Sequence, residues 1–105
     1  MEAKEIAVIY APKARTSITY IAAYIEEKGY PETAIEFANK LYNFGNSLAI
    51  LPDKYSLCKE PQLAKRKMRC AVFHKNYIFI YKMIKHSLII FNVIHSKSRP
   101  DSFSA

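Results

Sequence analysis

Three apolar runs, residues 67–73, 77–83 and 88–95, follow one another with only 74–76 and 84–87 between them. Connectors this short leave no room for a helical crossover, so the runs are predicted to pair as an antiparallel meander. In the first run Met68, Cys70 and Val72 alternate with Arg69, Ala71 and Phe73, which defines two strand faces. The other two runs are apolar on both faces, the pattern of central strands rather than edges. His74-Lys75-Asn76 is read as a hairpin turn, and 84–87 as a second.

The first half has a different period. In residues 5–10, Ile6, Val8 and Tyr10 alternate with Ala7 and Ile9, a short strand. Pro12 suits the first turn of a helix, where its missing N–H needs no partner. From 12 to 28, Ala14, Ile18, Ile21, Ala22 and Ile25 fall on one helical face, and Gly29 offers a left-handed cap. Pro31 opens a second helix with Glu32 near its positive end, and Ala34, Ala38, Leu41, Gly45 and Leu48 form its stripe. Small residues in that stripe point to a close helical hairpin. Leu51-Pro52 stops it, since the residue before proline avoids the helical region. Residues 53–64 carry no clear period and include Pro61, so they are expected to be a loop or irregular connector. Residues 96–105 are polar, contain Pro100 and are expected to form a flexible tail. The expected class is α+β, ordered β-α-α-β-β-β, with a helical hairpin on one face of a mainly antiparallel four-stranded sheet.

At 105 residues the chain has room for one core, so residues 1–105 are read as a single domain. Charge is divided unevenly. Residues 1–53 hold five Lys/Arg against seven Asp/Glu, a balance of −2, whereas 54–105 hold eleven against two, a balance of +9. A basic sheet half beside a near-neutral helical half suits a polyanion or an acidic protein as partner. Met1-Glu2-Ala3-Lys4-Glu5 lacks the cationic start and apolar core of a signal peptide, and no apolar stretch is long enough to cross a bilayer. A soluble cytoplasmic protein without membrane contact is expected. Cys58 and Cys70, twelve residues apart, lack a second pair at zinc spacing and are read as inert reduced thiols. His74, His86 and His95 are too dispersed for a metal motif, and with only Gly29 and Gly45 there is no glycine-rich phosphate loop. No metal or cofactor is expected.

In this order the residues resemble the RelE/ParE toxin superfamily of bacterial type II toxin–antitoxin systems, over about residues 5–99. The resemblance is carried by Ala11-Pro12-Lys13-Ala14 with Ile18, Ile21, Tyr24 and Ile25. It continues through Ala34 and Phe37, Leu51-Pro52, and Arg69 with Tyr77, Ile80 and Tyr81. It ends in Val93-Ile94-His95-Ser96-Lys97-Ser98-Arg99. The resemblance implies a toxin held by a cognate acidic antitoxin, and is compatible with a homodimer. It implies one of two activities: ParE-like poisoning of DNA gyrase by binding, or RelE-like cutting of messenger RNA on the ribosome. RelE-like members carry an arginine just after the first strand tyrosine, where this chain has Ile78. That departure removes a cation that would stabilise charge on a reacting phosphate, and favours the ParE-like, plasmid-stabilising reading. A third reading is an inactive family member kept as an antitoxin- or nucleic-acid-binding module.

The residues to weigh follow from this. Under the nuclease reading, Arg69, His95 and Arg99 are the catalytic candidates, with Lys65 and Lys67 beside them. For target or antitoxin binding the candidates are Lys65, Arg66, Lys67, Arg69, Lys75, Tyr77, Tyr81, Lys97 and Arg99. Each has a plainer alternative. Arg69 could pair with a helix acid, the 65–67 cluster could serve solubility, and His95 could pin a strand end. Tyr77 and Tyr81, on one face by period two, could stack bases or pack in the core. The expectation that unites them is convergence of Arg69, the 65–67 cations and the 95–99 cations on one side of the sheet.

Overall fold

The structure, a computed structural model, describes residues 6–96. Strand β1 (Ala7–Tyr10) leads into helix α1 (Pro12–Glu27) and helix α2 (Pro31–Ser47). After a connector and the one-turn helix α3 (Pro61–Lys65) come β2 (Arg69–Phe73), β3 (Tyr77–Ile84) and β4 (Ser87–His95). The sheet order is β1-β4-β3-β2. The β2–β3 and β3–β4 pairs are antiparallel, whereas β1 lies parallel to β4 with Ala7 opposite Ser87. This is the expected α+β arrangement, with β3 and β4 in the centre where their two apolar faces are both needed.

Both prolines stand at the first position of their helices. The Ala11 carbonyl accepts from the N–H groups of Ala14 and Arg15 and so starts α1. Gly29, at φ 93°, closes α1 with a bond from its N–H to the Glu26 carbonyl. Helix α2 ends at Ser47, three residues short of Leu51-Pro52. The gap is taken by tight i→i+3 bonds from the N–H groups of Leu48, Ala49 and Ile50.

The main core lies between the sheet and the α1–α2 hairpin. Ala14, Ile18, Leu41 and Leu48 meet Ala71, Phe79, Tyr81, Leu88, Ile90 and Val93 there, and Phe44 packs edge-on to Phe79 with ring centroids 5.0 Å apart. At Gly45 helix α2 comes close to the sheet. A Cβ there would collide with the Tyr10 hydroxyl and lie 2.9 Å from Ile90 Cδ1. That hydroxyl sits between the Tyr42 carbonyl and Asn46 Oδ1, 2.9 Å from each. In β4 one residue, Phe91, is extra: Ile80 faces Asn92 but Tyr81 faces Ile90. The bulge turns Asn92 toward α1, where its Oδ1 accepts from Ser17 Oγ at 2.6 Å and from the Val93 N–H at 2.9 Å.

The opposite sheet face has a smaller core of its own, which the expectation of an irregular 53–64 connector did not include. Cys58, Leu63 and Met68 bury against Ile80 and Ile94, with Cys70, Ile78 and Phe91 at the margin. A central strand apolar on both faces needs cover on both, and α3 with its flanking chain provides it. The expectation of free thiols is also corrected, because Cys58 and Cys70 form a disulfide with Cα atoms 4.9 Å apart. Leu57 bridges Arg69 in antiparallel fashion, with bonds from the Cys58 N–H to the Met68 carbonyl and from the Cys70 N–H to the Ser56 carbonyl. This extra pairing lays the two cysteines side by side. Among the described residues no helix is long and apolar enough to cross a membrane.

Candidate functional site

Arg69 begins β2 and shares its face with Ala71 and Phe73, toward the helical hairpin. Its guanidinium donates from Nη1 to the Tyr55 carbonyl at 2.6 Å, and Nη2 lies 3.3 Å from Asp53 Oδ1. The acid is therefore a loop residue and not the helix acid considered from the sequence. Tyr81, opposite Arg69 in the register, donates its hydroxyl to the Pro52 carbonyl at 2.7 Å. Together Arg69 and Tyr81 fix the chain just after α2. Burial pushes the Tyr81 phenol up, against the pull of the Arg69 charge beside it. Tyr81 is fully buried, so its ring offers no surface on which a base could stack.

Tyr77 and His95 stand opposite each other at the far end of β3, their rings 5.3 Å apart and nearly perpendicular. Tyr77 also packs on Phe37 at 5.2 Å, and burial first, then Tyr24, raises its pKa. Lys75 is exposed in the neighbouring turn, where it and His74 both take positive φ. Lys65, Arg66 and Lys67 are exposed at the end of α3, in the layer built on Leu63 and Met68. Lys97 and Arg99 lie outside the described residues.

The expected convergence on one side of the sheet is therefore corrected for the residues that can be placed. The Arg69 clamp lies on the hairpin side, the 65–67 cations belong to the opposite layer, and Lys75, Tyr77 and His95 gather at the start of β3. Arg69 faces Tyr81 whereas His95 faces Tyr77, four residues away and on the other flank of β3. At about 3.3 Å per residue this is about 13 Å along the strand. The Arg69 guanidinium is turned to Tyr55 and Asp53 while His95 packs against Tyr77, so the two do not meet. Ile78, in place of the nuclease arginine, packs against the second core, on the face away from Arg69. Among the described residues no group of three His, Cys, Asp or Glu side chains is placed to hold a metal ion.

One feature had no clear sequence signal. A groove of about 420 Å³ runs beside the β2 edge, walled by Tyr55, Leu57, Cys70, Val72 and Ile78, with Lys54, Lys59 and Glu60 at its rim. Val72, in the middle of β2, is about half exposed there. The groove's walls are mostly apolar, and its rim carries two lysines and one glutamate.

A solved structure described as "Chromosomal ParDE TA system from P. aeruginosa" has the same fold, with a TM-score of 0.74 over 87% of this chain and 96% of that one. Its identity is 11%, so the likeness is one of architecture. No curated protein matches the chain. The family model described as "ParE toxin of type II toxin-antitoxin system, parDE" matches residues 8–100. The match spans β1 through β4, and the chain belongs to the ParE toxin family of type II toxin–antitoxin systems.

Proposed function

We propose that this chain arrests growth by binding DNA gyrase, without breaking a bond itself, and that a cognate acidic antitoxin neutralises it. The observation that carries this reading is the separation of the groups a nuclease would need. Arg69 is engaged by Tyr55 and Asp53 opposite the middle of β3, while His95 sits against Tyr77 at its start. A general acid or base must come within hydrogen-bond reach of the reacting atom, and an electrophilic cation must touch the same phosphate. These side chains meet neither condition together. The uneven charge fits the same reading, since the +9 balance of residues 54–105 attracts an acidic partner and speeds encounter at low salt.

The test is gyrase supercoiling with the purified chain. Inhibition at stoichiometric toxin, relieved by the co-expressed antitoxin, is expected. No inhibition at large excess refutes the gyrase target. Mapping message 5′ ends in a translating extract supplies the counter-test, and new toxin-dependent ends would overturn the non-enzymatic reading.

A further inference from the structure

We propose that the Cys58–Cys70 disulfide is a redox latch, which holds the 53–60 segment against β2 when oxidised and releases it when reduced. The inference rests on the proposed function. A toxin whose target is an intracellular enzyme works among reducing thiols, where lasting structural disulfides are uncommon and reversible ones serve as sensors.

Placement in the fold supports a latch. The bridge ties a connector to the outermost strand rather than joining two core elements. Apart from the bridge, this connector is held to β2 by the two backbone bonds that flank Leu57 and by the Arg69 contacts to Tyr55 and Asp53. The Asp53 side chain is 88% exposed, so its ion pair adds little. Firm anchors lie on either side: the Tyr81 hydroxyl holds the Pro52 carbonyl, and Leu63 is buried in the second core. Between those two points Tyr55 also packs on Phe44 and Cys58 lies in the second core, and in the latch these contacts give way once the bridge is gone.

Access is uneven. Cys58 is 3% exposed, whereas Cys70 is part-exposed and lines the open groove. A thiolate of a small reductant such as glutathione, or of a protein dithiol, attacks Cys70 Sγ from the groove. The S–S bond breaks, the Cys58 sulfur leaves and takes up a proton, and a mixed disulfide remains on Cys70. A second reductant thiol displaces it, so that two cysteine thiols and one oxidised reductant disulfide result. Release uncovers the outward backbone of Met68 and Cys70 and takes the Tyr55 carbonyl and Asp53 away from Arg69. The same step thereby lengthens the open β2 edge and frees a guanidinium for a partner carboxylate.

The experiment equilibrates the full chain in glutathione buffers from mostly oxidised to mostly reduced. Acid-quenched alkylation with intact mass then counts thiols, and hydrogen exchange follows residues 53–60. Expected are a bridge that interconverts within this series and exchange over 53–60 at least about ten-fold faster in the reduced chain, with β3 and β4 unchanged. Cys58→Ala, and Cys70→Ala as a second variant, are expected to show the fast exchange in every buffer. A bridge that survives excess reduced glutathione, thiols that stay free in oxidised glutathione, or exchange indifferent to reduction would each overturn the latch. None of these readouts uses gyrase. Failure of supercoiling inhibition in both redox states would count against the target, and leave the latch result standing by itself.

Discussion

Replacing Gly45 by alanine tests the closeness of helix and sheet that the fold depends on. Helix propensity alone favours alanine at an interior position by about 1 kcal/mol. The site opposes it, because the new Cβ would collide with the Tyr10 hydroxyl and lie 2.9 Å from Ile90 Cδ1 and 3.1 Å from Tyr10 Cε2. Ile90 is fully buried, and the Tyr10 hydroxyl is committed to Tyr42 and Asn46, so neither yields without loss. Overpacking of this kind costs about 1–3 kcal/mol. Displacing the hydroxyl from its acceptors adds about 0.5–1.5 kcal/mol. The net expectation is destabilisation by about 1–3 kcal/mol, read as a urea midpoint lowered by roughly 0.7–2 M at a slope of about 1.5 kcal/mol per M. Tyr10→Phe removes the atom the methyl meets most closely, so the double variant should be less destabilised than the two singles added, by about 1 kcal/mol. A Gly45→Ala protein with a raised midpoint, or a strictly additive double variant, would show that the clash does not govern this position.

Four further expectations follow from contacts described above. Burial, reinforced by Tyr42, pushes the Tyr10 pKa from 10.0 up to about 12. The unfolded chain then loses this proton first, so stability is full below about pH 10 and falls as pH rises toward 12; alkaline denaturant titrations should show this fall, and Tyr10→Phe should flatten it. Tyr81→Phe removes the hydroxyl that donates to the Pro52 carbonyl, and should cost about 0.5–1.5 kcal/mol with faster amide exchange just after α2. Asp53→Asn should change stability by no more than about 1 kcal/mol, since that carboxylate is almost fully exposed. Arg69→Met, which removes the charge-assisted bond to Tyr55, should cost about 1.5–3 kcal/mol by thermal or urea unfolding.

The elements most legible in the sequence were those whose pattern is local. Pro12 and Pro31 open their helices, Gly29 closes the first, and the two-faced apolar runs become the central strands β3 and β4. The segment before β2 was not legible because its order comes from other parts of the chain. Residues 56–58 pair with β2 only because Leu63 and Met68 have a second apolar face to cover, and only that pairing brings Cys58 to Cys70. The turn at Lys85 gave no glycine or asparagine cue, yet Lys85 takes φ 57° because the two-residue link between Ile84 and Ser87 demands it. The candidate site was legible as a set of residue types but not as a place. Alternation assigned Arg69 to its face correctly, but the strand period carries no information about which loop carbonyl or acid will meet it.

The parallel pairing of β1 with β4 has a consequence for how the protein comes into being. Ala7–Tyr10 finds its hydrogen-bonding neighbour only in Ser87–His95, so the first strand made must wait for the last. Until then the α1–α2 hairpin, which can coil by local contacts alone, has no finished floor to rest on. On a ribosome the sheet therefore stays incomplete until Ser87–His95 has emerged, and the apolar hairpin face is open to whatever binds it first. Under the proposed function, activity that needs the complete sheet would switch on only as β4 slots between β1 and β3.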